Sequence, residues 1–284
     1  MVVPFQGWFG GSMNEGVIAL APARFSIGGA LGDSLRIFGR NFVSFGVLAM
    51  VLQSPWLLAP LIDDGIPTSA PADFDWSSEV FRPLLGLLCA AFTQAAIVLG
   101  VRQNLRGRKA TMGDTMRGLP FVIPIVAASA ICYLPSFMPA IVEHGLRAPT
   151  LVVGAASLVF GILYFVLLVI CWITAPVIAI EKAGPIAGLA RAMELSKGCR
   201  WTIFGLLLIL GAALFCIMIP AWALGGVDRS GFLLSGPSAV VGFAAYVGSA
   251  LFSAFNAVAM TVTYHRIRAE KEGAGVEDVA DIFD

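Results

Sequence analysis

Six stretches of this 284-residue chain, each 19 to 30 residues long, contain no aspartate, glutamate, lysine or arginine. They are residues 42–62, 83–101, 120–142, 151–180, 201–224 and 239–264. A hydrocarbon layer about 30 Å thick is crossed by about 20 helical residues. Without water the backbone must satisfy its own hydrogen bonds, which a helix does within one segment. The pattern therefore predicts an all-α fold, a polytopic membrane bundle of six transmembrane helices. Composition agrees: 58% of residues are apolar and 13% charged, against about 45–50% and about 25% in soluble domains. Zero net charge and the absence of a basic tract exclude a nucleic-acid-binding chain. No stretch of soluble composition is long enough for a separate catalytic domain. The expected division is a loose cytoplasmic N-terminal tail (1–25), a six-helix membrane domain (26–264) and a cytoplasmic C-terminal tail (265–284).

The connectors set the orientation. Fifteen of the 18 basic residues fall in the first 41 residues, the second and fourth connectors and the C-terminal tail. Only Arg82, Arg147 and Arg229 fall on the other side. Because lysine and arginine accumulate on the cytoplasmic side, both termini are expected inside, in the cytoplasmic (inner) membrane of a bacterium. The acidic connector around Asp73 is expected outside. The fourth apolar run is overlong and must tilt or extend past the membrane surface.

The cytoplasmic segments carry a repeat. LGDSLR at 31–36 and MGDTMR at 112–117 share one pattern, and a weaker copy runs through Ile186, Leu189, Ala190 and Met193. In the first copy Ile27, Leu31, Leu35 and Phe38 share a helix face. Ser26 and Thr111 are residues that cap helices, and Pro185 suits a first turn. Short amphipathic helices lying in the membrane interface are predicted. Each leads into a proline-containing span and a return span, a three-fold pseudo-repeat of hairpins.

Inside the spans the polar residues are uncharged. Gln53, Gln94 and Asn256 are the candidates for a buried polar cavity or for interhelical packing. A stripe of small residues, Ala245, Ser249, Ser253 and Ala257, marks the last span as the central packing helix. Phosphate loops, dinucleotide-binding glycine patterns and HExxH zinc motifs are missing. The five scattered cysteines form no CxxC pair and read as small hydrophobes. The expectation is a protein that is not an enzyme and that takes no cofactor or metal.

Two cytoplasmic stretches resemble a known group. RAMELSKGCRW at 191–201, preceded by Pro176 and Glu181, and YHRIRAEKEG at 264–273 are similar to motifs of bacterial six-helix membrane proteins. These are grouped with the membrane domain of glycerophosphoryl diester phosphodiesterases. Ala192 stands where that group is expected to carry serine. The resemblance implies a membrane module without phosphodiesterase activity, which belongs to a separate soluble, metal-dependent domain. Within these motifs Glu181 and Arg191 are a candidate cytoplasmic contact, paired to hold the third interfacial helix, while Arg266, Arg268 and Lys271 are expected against anionic headgroups. The functional expectation is a non-enzymatic integral membrane protein whose interfacial helices organise lipid or a partner membrane protein. The alternative is a permease-like component for a small or lipid-like solute.

Overall fold

The computed structural model describes residues 25–58, 81–105, 112–145, 149–224, 227–228, 231–232 and 238–273. Ten helices account for nearly all of these. They are α1 (Ile27–Arg40), α2 (Phe42–Gln53), α3 (Arg82–Leu105), α4 (Met112–Met116), α5 (Val122–Ala140) and α6 (Thr150–Cys171), then α7 (Thr174–Glu181), α8 (Pro185–Ser196), α9 (Arg200–Ala223) and α10 (Ser238–Glu272). A two-stranded antiparallel ribbon, β1 (Val227–Asp228) and β2 (Gly231–Phe232), follows α9. Five helical stretches are long and apolar enough to cross a membrane. A sixth counts only if α1 and the segment Phe42–Leu57, bent 86° from it, are taken together. The first apolar run thus begins after a right-angled turn at Asn41, and residues 59–62 of that predicted span lie outside the described residues. The N-terminal tail lies there too, save Phe25, which is buried.

The helices α3 and α10 form the centre. Ala96, Ile97 and Val101 of α3 meet Ala254, Ala257, Val258 and Val262 of α10, together with Ile37 of α1 and Phe45 and Leu48 of α2. Small residues let these backbones approach closely, the device that holds helices together where the surrounding solvent is itself apolar. The stripe on α10 is rotated from the expected one: Ala250, Ala254, Ala257 and Thr261 are fully buried, whereas Ser249 and Ser253 are half-buried. The hairpin of α5 and α6 packs on α3, and α6 leaves a broad apolar face uncovered.

The overlong fourth run is interrupted by a break in its helix. Pro176 lacks the N–H that would bond the carbonyl of Trp172, and the helix breaks at Trp172–Ile173 before restarting as α7. The Thr174 hydroxyl donates to the Cys171 carbonyl at 2.6 Å. From Thr174 to Ile180 every residue of α7 is buried.

The three short helices are unequal. Helix α1 has 14 residues and is capped by Ser26, whose hydroxyl accepts from the Gly29 N–H; α8 has 12 and opens on Pro185. Helix α4 has five and tucks against α3, with Thr115 and Gly118 buried, while Thr111 lies outside the described residues. In α1 the bundle buries Ala30, Ser34 and Ile37 and leaves Leu35 60% exposed. In α8 it buries Gly188, Leu189, Ala192, Leu195 and Ser196, leaving Ile186 75% exposed and Met193 exposed. Each helix thus buries one side, with Ile37 of α1 and Leu189 and Leu195 of α8 in the core beside smaller residues, and leaves other large apolar side chains exposed.

Candidate functional site

The last helix does not end where its apolar run ends. It continues eight residues past Tyr264, to Glu272, so the predicted C-terminal tail begins as helix. The periodicity of 3.6 residues places Tyr264, Arg268 and Glu272 on one side and Arg266 and Glu270 on nearly the opposite one. The two sides grip different partners.

On the first side the polar side chains form a closed ring. The Tyr264 hydroxyl donates to Glu181 Oε1 at 2.8 Å, and Arg191 Nε donates to Glu181 Oε2 at 3.3 Å. Arg191 Nη2 reaches Glu272 Oε1. Arg268 Nε donates to the other oxygen of Glu272 at 2.9 Å, and Arg268 Nη1 closes the circuit on the Tyr264 oxygen at 3.1 Å. Glu194 adds a weaker contact to Arg191 at 3.5 Å. Lys271 Nζ donates to the carbonyls of Glu194 and Lys197, at 3.1 and 2.6 Å, and so caps the C-terminal end of α8. Carbonyls at a helix end have no intrahelical partner, and a cation there also meets the negative end of the helix dipole.

On the second side Arg266 Nε donates to Asp33 Oδ2 at 3.0 Å, with Nη2 on the same oxygen. This pair is the most enclosed of the ion pairs among the described residues, at 10% and 15% exposure. The Glu270 carboxylate accepts the Phe25 N–H at 2.8 Å. Gly29 of α1 lies directly against the guanidinium: a β-carbon there would stand 2.6 Å from Arg266 Nη1. One helix end thus ties α1 on one side and α7 and α8 on the other.

Chemically the ring is a clamp. Its cations are held by carboxylates, its hydroxyl both donates and accepts, and none of its members is a free nucleophile. Among the described residues no group of three or more histidine, cysteine, aspartate or glutamate side chains is placed to hold a metal ion. Burial alone would raise the Glu272 carboxyl, but hydrogen bonds from Arg268 and Arg191, with their charges, outweigh it and hold the group below its ordinary range. A carboxylate with a depressed pKa stabilises the fold above its unfolded-state pKa and loses that contribution as pH falls through the folded value. Thermal stability is therefore expected to drop on acidification below the ordinary glutamate range. In Glu272→Gln that acid limb should flatten, at a cost near neutral pH of about 1 kcal/mol, the scale of a solvent-screened pair. A pH series of unfolding temperatures in detergent micelles checks this, and an unchanged acid limb would contradict it.

Of the residues singled out from the sequence, the structure brings Glu181 and Arg191 together. Gln53 closes α2, Gln94 lies on α3 and Asn256 on α10; all three are half-buried and none joins the ring. Tyr264, Glu272 and Asp33 are site residues that the sequence reasoning does not single out. Their signal was present as the four-residue spacing of Tyr264, Arg268 and Glu272 and as the aspartate of the first repeat. Arg266 and Arg268, expected against headgroups, are turned inward to protein carboxylates, and Lys271 to carbonyls. Compared with protein-family models, with curated proteins and with solved structures, the chain matches none.

Proposed function

We propose that this chain is a non-enzymatic integral protein of a bacterial cytoplasmic membrane, with six spans and both termini inside, that organises lipid or a partner protein through its interfacial helices. The reading takes up the membrane-module role that the glycerophosphoryl diester phosphodiesterase resemblance implies, without its chemistry, and treats the hairpins as a degenerate three-fold repeat. One observation carries it. Helices α1 and α8 pack one side against the bundle and still leave the large apolar side chains of Leu35, Ile186 and Met193 uncovered. Water disfavours such surfaces, whereas a membrane interface covers them. The 86° bend between α1 and the following apolar segment supports the same reading, because an interfacial helix lies across the direction of a span. The clamp then fixes both helices to the end of α10, so that they act as one platform.

Alkaline phosphatase and green fluorescent protein fusions at Asp73 and Lys109 test the arrangement. Phosphatase activity only at Asp73 and fluorescence only at Lys109 are expected, with the protein retained in carbonate-washed membranes. The same reporter active at both positions would overturn it.

A further inference from the structure

We propose that the outer face of α8 and the entry of α9 form a docking surface for anionic phospholipid. In it Lys182, Lys197 and Arg200 meet the phosphate headgroups, Trp201 lies at the headgroup level beside them, and Ile186 and Met193 reach the acyl chains. The inference rests on the membrane reading above and names the lipid class that this platform selects.

The basic residues of this region divide into two sets. Arg191, Arg266 and Arg268 are engaged by Glu181, Glu194, Glu272 and Asp33, and Lys271 by the carbonyls that end α8. Lys182, Lys197 and Arg200 are exposed and form no ion pair among the described residues. Each nearby carboxylate of α7, α8 and the end of α10 that faces this region already holds an arginine. Among the described residues, the three exposed cations therefore present unpaired positive charge at the two ends of α8. Between them, at helical spacing, run Ile186, Ala190 and Met193, all exposed. Trp201 is 84% exposed and stands edge-on to Phe204, which in turn stands edge-on to Phe165 of α6. An indole beside an arginine at the start of a span suits the headgroup level, and the apolar face continues into the uncovered surfaces of α6 and α9.

The backbone at Lys182 adds a second line. Its φ of 54° makes it the one described non-glycine residue in the left-handed region, at the C-cap of α7. Glycine occupies such caps at no steric cost, whereas a β-carbon there crowds the following carbonyl oxygen. A lysine held there keeps a charge at the surface against the local conformational preference. Glycine at this position should therefore leave the fold as stable or more so while weakening lipid selection, a separation that a purely structural lysine would not give.

Quenching of tryptophan fluorescence by brominated lipid reads the surface directly. The full chain is reconstituted in vesicles of phosphatidylcholine and phosphatidylglycerol in which one or the other lipid is brominated. The Trp201 component is taken as the difference from Trp201→Phe. Brominated phosphatidylglycerol is expected to quench that component more strongly at equal mole fraction. At about 1 kcal/mol per surface cation, Lys182→Gly should lower the preference about fivefold. The triple replacement K182Q, K197Q and R200Q should lower it on the order of a hundredfold, while K182R with K197R and R200K retains it. Equal quenching by the two lipids, or a preference that survives the triple glutamine replacement, would overturn the inference. Failure of the chain to enter the vesicles at all would instead overturn the membrane reading.

Discussion

Gly118→Ala is expected to cost the bundle about 3 kcal/mol or more, the largest effect of a glycine-to-alanine change among the described residues. Gly118 has ordinary helical dihedrals, φ −75° and ψ −22°, so conformational freedom is not the reason for glycine. The reason is proximity. A β-carbon there would lie 1.9 Å from the carbonyl oxygen of Ala95 and 2.6 Å from its carbonyl carbon. Both are backbone atoms of the central helix α3 and cannot rotate away. The turn between α4 and α5 would have to retreat, pulling Thr115 from beside Gly100 and Phe45. Overpacking typically costs about 1–3 kcal/mol, and a rigid obstacle puts this site at or beyond the upper end. Gly154 and Gly211 provide the comparison. Nothing lies within 4 Å of a β-carbon at either, so alanine there should be neutral or stabilising by up to about 1 kcal/mol. Thermal unfolding of the three variants in the same detergent decides the matter; equal unfolding temperatures would show that the α4 turn is not held against α3.

Arg266→Met is expected to cost about 3 kcal/mol and to loosen α1 selectively. The guanidinium and Asp33 are the most enclosed ion pair described, and removing one partner of such a pair leaves an uncompensated charge, a loss of about 3–5 kcal/mol. Substituting both residues, Asp33→Asn with Arg266→Met, removes that charge and should recover most of the loss, because a paired buried ion pair itself contributes little net stability. Hydrogen exchange should localise the single variant's effect to residues 25–40 and leave α7 and α8 protected, since these are held by the opposite side of α10. Uniform loss of protection across the bundle would show that the two sides are not independent attachments.

The apolar runs were legible in the sequence because their lengths and lack of charge are physical requirements of hydrocarbon, and five reappear as helical stretches long enough to span it. The boundaries were less legible. The break at Trp172–Ile173 follows from Pro176, a residue visible in the sequence; the residues around it, mostly apolar, carry no sign that Thr174 to Ile180 are all buried. The rotated packing stripe on α10 has a similar cause. Alanine and serine both permit close approach, so spacing alone could not say which of two adjacent stripes meets α3. Glu181 and Arg191 could be paired on paper because ten residues and a turn separate them. Asp33 and Arg266 could not, being 233 residues apart. Charge alone sends Arg266 and Arg268 to the headgroups, whereas the continued helix brings Asp33 and Glu272 within their reach.

The length of α10 has a mechanical consequence. At 1.5 Å per residue its 35 residues make a rod of about 52 Å, with no proline along its length. Near one end Tyr246 bonds the carbonyl of Met50 on α2; at the other sits the ring of arginines and glutamates. Such a rod acts as a lever: each degree of lean about Tyr246 carries the far tip sideways by roughly 0.7 Å. A small lean at the Tyr246 end of the helix is thereby magnified at the end that carries the ring.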